Sequence, residues 1–406
     1  MLNNLREIHS CEVCGSSEMA TVLNLGLHPL CDDLIPIGQQ RVCDTYPIEI
    51  LFCSECNTAH QRFQVAKKKL FPNSYHYRSK NTADVLDGMK DFVNTCENKF
   101  GKLRHSKVID IGCNDGSLLN FFREKGSQTY GIEPTDAYQD AAMEGHAVIN
   151  AYLTQEVAQK FVREYGHADI ITFTNVFAHI EDLEELLKSI KVLRQPNTSI
   201  VIENHYLGSI LERKQFDTFY HEHPRTYSCK SFIQVAKKLG MTVDSVEFPR
   251  RYGGNIRVFM RPARGMEKLS DHQKDIIKNE NSSFMQAFKD LASYINRWRV
   301  GKKAEILTAV KVHGPLLAKA FPGRAAIPIQ MLDIDHNSIK AAYEKPGSQK
   351  INHWIPGTRI PIMSDIHLLA DNCGESPILN LAWHIDDEIN TYLRNLGYTG
   401  RLINII

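Results

Sequence analysis

From Asn81 to Lys99 apolar residues recur at helical spacing (Val85, Met89, Phe92, Val93), and the pattern predicts an amphipathic helix. Strand-like and helix-like segments then alternate. VIDIG (108–112) is a short apolar run ending in glycine, SLLNFFREKG (117–126) reads as a helix stopped by Gly126, and TYGIEP (129–134) reads as a strand. ADIITFTNVF (168–177) and SIVIEN (199–204) predict two more strands, with the helix DLEELLKSIKVLR (182–194) between them. This β-α-β order predicts an open, mainly parallel sheet with helices on both faces. SFIQVAKKLG (231–240) adds a helix, and MTVDSVEF and NIRVFMRP add an antiparallel strand pair.

Residues 275–300 predict a long helix carrying Phe284, Phe288, Leu291, Tyr294, Ile295 and Trp298. Beyond it, IPIQMLDID (327–335), PILNLAW (377–383) and RLINII (401–406) read as strands and DDEINTYLRNLG (386–397) as a helix. The C-terminal third is therefore expected to be a second, smaller α/β unit. The domains expected are residues 1–75, 76–265 and 266–406.

Residues 1–75 read instead as short strands and turns and hold six of the ten cysteines. The chain of 406 residues is too long, and its cysteines too dilute, for a disulfide scaffold. Cys11-Glu-Val-Cys14 and Cys53-Ser-Glu-Cys56 form two Cys-x-x-Cys pairs separated by 38 residues. One tight turn presents two thiolates to one ion, and two such turns complete a tetrahedral zinc site. The redox alternative needs a Cys-x-x-Cys opening a helix after a strand, a context that neither pair provides. Four thiolates leave no open coordination position, so the zinc expected is structural. Cys31 and Cys43 read as ordinary small apolar residues.

Charge narrows the partners. With 48 Lys and Arg against 47 Asp and Glu, and six against eight in residues 1–75, neither the chain nor its zinc module is built for polyanion binding. No nucleic-acid partner is expected. The first residues lack a signal pattern and no apolar run approaches ~18 residues, so a cytoplasmic chain without a membrane partner is expected.

Candidate chemistry gathers at two places. In Val108-Ile-Asp-Ile-Gly-Cys-Asn-Asp-Gly116 a strand runs through a glycine turn into a helix, and Glu133 follows Gly112 by 21 residues at the end of the next strand. A carboxylate there can accept from both hydroxyls of a ribose. Asp115 within the loop disfavours a dinucleotide's pyrophosphate, so S-adenosylmethionine fits better than NAD. In the second place, Tyr220, His221, Glu222 and His223 concentrate proton-transfer groups within four residues. Read as an extended segment, they would place Tyr220 and Glu222 opposite His221 and His223. A histidine near its ordinary pKa of ~6.5 can act as a general base.

The chain resembles the zinc-containing sugar C-methyltransferases of deoxysugar biosynthesis. The likeness rests on the cysteine pairs, YHYRS (75–79), VIDIGCNDGSLL (108–119), GIEP (131–134), NVFAHIED (175–182), FYHEHPRTYS (219–228), YGGNIRV (252–258), PGTRIPI (356–362) and LAWHIDDEI (381–389). It implies a small N-terminal zinc-binding domain, a central class I methyltransferase Rossmann-like sheet that binds S-adenosylmethionine, and a C-terminal Rossmann-like α/β domain that helps to hold a nucleotide-linked sugar.

The reaction implied is methylation at C3 of a nucleotide-linked 4-keto-6-deoxy sugar through an enolate; separately, a monomer is expected. By resemblance, His223 is the base, with Tyr220 and Glu222 orienting or stabilising, and His179 stabilises the enolate oxygen. Asp110, Gly112, Asn114, Gly116 and Glu133 match the cofactor loop and ribose acid, Tyr77 and Ser79 the methionine end, and Cys11, Cys14, Cys53 and Cys56 the zinc ligands. Sugar O-methylation, and RNA or protein methylation by a zinc-ribbon enzyme, are the alternatives. The sequence departs from the family pattern at VKVHGPLLAKAF (310–321) and at Asn255, where serine is usual, so the nucleotide base stays open between thymine and guanine.

Overall fold

The computed structural model describes residues 5–71, 78–81, 83–265, 268–368 and 376–406. The chain divides into two compact units. One comprises Met1–Thr21, Leu51–Arg213 and Glu222–Met285, and the other Val22–Ile50, Lys214–His221 and Gln286–Ile406.

The first unit is organised by a seven-stranded sheet. Its strands are β1 (Lys107–Ile111), β2 (Gln128–Ile132), β3 (Ala147–Ile149), β4 (Ala168–Thr174), β5 (Arg194–His205), β6 (Met241–Glu247) and β7 (Asn255–Pro262). Their spatial order is β6-β7-β5-β4-β1-β2-β3. The pairs from β5 to β3 are parallel, and β7 runs antiparallel to both β5 and β6. Chain order reverses between β1 and β4, which makes the carboxyl ends of these strands the place where a ligand crevice forms.

Residue alternation along the strands explains why helices cover both faces. Ile109, Ile111, Ile171, Phe173, Ile200 and Ile202 fall in one buried cluster with Phe161 of α3 (Gln155–Tyr165), Leu186 and Ile190 of α4 (Leu183–Leu193), and Phe232 of α5 (Cys229–Lys238). The intervening Val108, Ile170 and Val201 join a second cluster with Phe92 of α1 (Ala83–Phe100) and Phe122 of α2 (Ser117–Glu124). A period of two on the sheet meets a helical period on each side. Fully burying each such side chain contributes ~1.5–3 kcal/mol. Side chains set the helix starts: Asp182 accepts from the Glu185 amide at 2.9 Å, and Ser228 and Ser231 form a reciprocal capping box.

The expected long helix is longer still, α6 (Asp271–His313), and the unit division falls within it at Met285 and Gln286. In the second unit β8 (Leu316–Lys319), β9 (Ile339–Glu344), β10 (Ile362–Ser364), β11 (Ile378–Asn380) and β12 (Leu402–Asn404) form an all-parallel sheet in the order β10-β9-β8-β11-β12. A second Rossmann-like sheet is thus present, as expected.

The strand expected over 327–335 is instead a helix, α7 (Ala326–Leu332), closed by Asp333 at φ 49°. Six of its seven residues are buried, so its apolar run carries no periodicity that tells helix from strand. Pro328 sits in the first turn, where its missing N–H breaks no helical hydrogen bond. No described helix is long and apolar enough to cross a membrane.

Candidate active site and metal centre

The two Cys-x-x-Cys turns converge. The sulfurs of Cys11, Cys14, Cys53 and Cys56 all lie within 4.8 Å of one another, with Cys11 to Cys56 at 3.4 Å and Cys14 to Cys53 at 3.6 Å. A tetrahedron with Zn–S bonds of ~2.3 Å has edges of ~3.8 Å, so the donor set and its size fit zinc. Three of the four are buried and Cys14 is half-buried. The nearby Cys53 sulfur is the largest cause pushing the Cys11 thiol up to about 12, a crowding of sulfurs that a divalent cation would relieve. Nε2 of buried His60 lies 3.3 Å from the Cys11 sulfur, an outer-shell contact with no spacing signal in the sequence.

The loop expected to hold the cofactor leaves the carboxyl end of β1. Gly112 (φ 72°), Asn114 (φ 51°) and Gly116 (φ 79°) all take left-handed backbone, which turns the chain sharply before α2 begins. A Cβ at Gly112 would stand 2.7 Å from Val176, so the close approach made there is to protein. Glu133 follows β2 directly. Its Oε2 accepts from the Asn114 amide at 3.0 Å, and its Oε1 accepts from the Thr135 amide at 2.9 Å and the Thr135 hydroxyl at 2.6 Å. Three of about four lone-pair sites are used, leaving room for one more donor.

Asp110, buried in β1, accepts from the Thr172 hydroxyl at 2.7 Å, and burial pushes its carboxyl up to about 7. The Asn114 side chain accepts from the Ser79 amide at 3.1 Å, and that of Asp115 from the Lys80 amide at 2.8 Å. The strap 78–81 is thereby fastened to the loop. Arg78 closes its other side on Asp140 (2.7 Å) and Asp136 (3.0 Å). Ser79 is therefore at the loop, while Tyr77 lies outside the described residues.

The histidine segment differs from the expected extended form. Residues 219–224 contain no strand, and His221 and Glu222 form a turn. His221 is buried with Nε2 3.1 Å from the Tyr46 carbonyl oxygen, and burial pushes it down to about 4. It is thus held as a neutral packing group. His223 is brought instead to His179, which ends the short 3-10 helix Phe177–His179 after β4, with ring centroids 4.7 Å apart.

Nδ1 of His179 lies 2.8 Å from the Glu222 carbonyl oxygen, and burial pushes its pKa down to about 4. His223 also lies near His205, the last residue of β5, at 5.3 Å between centroids. Sequence reasoning missed His205, although its place at the carboxyl end of a parallel strand is a signal. Tyr220 is half-buried and Glu222 buried. Asn255, at the family's usual serine, donates to Glu203 at 3.1 Å and to Asn175 at 3.2 Å.

Comparison with known proteins matches three family models in this order. They are a "putative zinc binding domain" over residues 11–71, a methyltransferase domain over 77–246, and a C-methyltransferase C-terminal domain over 250–406. The C-methyltransferase NovU of Streptomyces niveus is 26% identical over 397 residues, covering 96% of this chain and 93% of that protein. A ubiquinone biosynthesis O-methyltransferase of Acinetobacter baylyi is 27% identical over 108 residues, 26% of this chain and 45% of that protein.

Among solved structures, the magnesium protoporphyrin IX methyltransferase of Synechocystis PCC 6803 is 14% identical, with a TM-score of 0.34 over 44% of this chain and 80% of that one. Three models matched in one order, and a relative aligned along nearly all of both chains, make the chain similar throughout its length to proteins that join a zinc-binding domain, a methyltransferase domain and a C-methyltransferase C-terminal domain.

Proposed function

We propose that the protein is an S-adenosylmethionine-dependent methyltransferase that adds a methyl group to C3 of a nucleotide-linked 4-keto-6-deoxy sugar. The observation that carries this reading is the pairing of His223 with His179 at the carboxyl end of the same sheet that bears the cofactor loop. Full-length similarity to a C-methyltransferase supports carbon as the acceptor atom.

In this reading Asp110, Gly112, Asn114, Gly116 and Glu133 shape the S-adenosylmethionine site, with Ser79 and Tyr77 towards the methionine end. The cofactor, when bound, supplies an electrophilic methyl group on a sulfonium. His223 takes the proton from C3, which the C4 ketone acidifies, and the bonding pair moves into the enolate. The enolate carbon then forms the new C–C bond to that methyl group while the methyl–sulfur bond breaks, its electron pair leaving with sulfur as a neutral thioether. His179 has an unprotonated Nε2, which suits accepting a hydrogen bond from the His223 ring, and so orienting it, better than donating to the enolate oxygen. Tyr220 and Glu222 flank the base and serve to orient it and to stabilise charge.

Zinc held by Cys11, Cys14, Cys53 and Cys56 stabilises the fold, with residues 1–75 as its domain, 76–265 as the methyltransferase domain and 266–406 helping to hold the nucleotide. Replacing His223 with Asn tests the assignment. The variant should bind S-adenosylmethionine with unchanged affinity yet lose turnover, and full activity would contradict the role of the base. A 4-hydroxy sugar should not be methylated, because O-methylation needs no ketone and C3-methylation does.

A further inference from the structure

Arg225 is a fully buried cation two residues beyond His223. A guanidinium without water must spend its donors on protein acceptors, and the choice of acceptors is informative. Nε donates to the Tyr227 hydroxyl at 3.0 Å, and one terminal nitrogen donates to both Glu12 and the Glu181 carbonyl oxygen, the latter at 3.3 Å. The other terminal nitrogen donates to the Ile180 carbonyl oxygen. Ile180 and Glu181 are the two residues immediately after His179. Glu12 lies between the cysteines of the first Cys-x-x-Cys turn.

Backbone pairing reinforces the connection. Arg225 and Thr226 form an antiparallel pair with His60 and Ala59, and His60 reaches the Cys11 sulfur. Tyr227 stacks on Phe232 and meets Phe177, at the head of the 3-10 turn that ends at His179. Every contact of the guanidinium therefore ends on the cysteine turn, on the loop of His179, or on the segment that follows His223.

We propose that Arg225 is a positioning residue for the reaction, bolting the loop of His179 to the segment of His223 and tying both, through Glu12, to the first cysteine turn. The consequence for catalysis rests on the function proposed above, but the bolt itself is a property of the folded chain. A planar fork can hold two carbonyls and a carboxylate in fixed relative positions, which a lysine ammonium cannot. Misplacing a base or the group that orients it by about 1 Å costs roughly 10²-fold in rate.

The test compares the zinc-loaded full-length wild type with Arg225→Lys and Glu12→Gln. Both variants should keep the wild-type zinc content and S-adenosylmethionine affinity. Arg225→Lys should lower kcat roughly 10²-fold with little change in the KM of a 4-keto sugar. Its His179 imidazole, followed by 15N NMR, should leave the single Nδ1–H tautomer for a mixture.

Glu12→Gln, which leaves the carbonyl contacts in place, should lose less activity and keep that tautomer. Wild-type kcat in Arg225→Lys, or a loss that follows only zinc content and melting temperature, would overturn the proposal. If the wild type methylates no ketosugar, the proposed function fails while the tautomer measurement still decides. An unaltered His179 signal in Arg225→Lys would then refute the bolt.

Discussion

Nδ1 of His179 lies 2.8 Å from the carbonyl oxygen of Glu222, a group that can only accept a hydrogen bond. The ring is thereby held with its proton on Nδ1 and its lone pair on Nε2, and its centroid lies 4.7 Å from that of His223. Burial pushes His179 down to about 4, so the ring stays neutral at physiological pH. We expect 15N NMR of the wild type to show an unprotonated Nε2 on His179 from about pH 5.5 to 8. Titration of this ring near its ordinary ~6.5 would contradict the arrangement.

Gly112→Ala should damage cofactor binding. The backbone there is left-handed at φ 72°, and the added methyl would stand 2.7 Å from Val176. The strained backbone alone costs about 1–2 kcal/mol, and relieving the contact with Val176 would displace the loop held by Glu133. Calorimetry should show S-adenosylmethionine affinity falling at least ~10-fold in a folded variant. Unchanged affinity would show that the turn does not shape the site.

Zinc at the four-cysteine cluster is tested by Cys53→Ser. Removing one buried thiolate from a closed set should reduce bound zinc from one per chain to near zero and lower the melting temperature by several degrees or more. Chelation of the wild type should reproduce the shift. A variant that keeps its zinc and its melting temperature would reject the ligand assignment.

Asp110 gives a pH signature. Its carboxyl is raised from 3.8 to about 7, with burial as the largest cause. Folding therefore favours the protonated form. The stability this contributes is fully present below pH 3.8 and is lost as pH rises through 7. Asp110→Asn does not titrate at that position, so in the absence of cofactor it should gain on the wild type between pH 4 and 8 by on the order of 4 kcal/mol. Urea midpoints measured across that range provide the check, and parallel curves would contradict it.

What was legible in the sequence follows from how local each cause is. The cysteine quartet was readable because each pair needs only one tight turn, and Gly112 and Gly116 because left-handed backbone selects glycine. The central sheet was readable because its strands alternate with periodic helices. The helix Ala326–Leu332 was not, since a short segment buried on nearly every side has no polar face to set its period.

Nor was the form of the histidine segment. His221 turns to the Tyr46 carbonyl, 175 residues away, and that tertiary contact overrides simple alternation. Arg225 has no local signal of its role, because its acidic partner Glu12 lies 213 residues earlier. His205 was invisible for a related reason, as its neighbour His223 reaches it only through the fold.

The most direct measurement is the structure of the product formed from S-adenosylmethionine and thymidine- or guanosine-linked 4-keto-6-deoxy sugars. A methyl group on C3, read by NMR as carbon-bound, is expected, with exchange of the C3 proton with deuterated solvent that disappears in His223→Asn. A methyl ether, or no product with any of these ketosugars, would contradict that expectation.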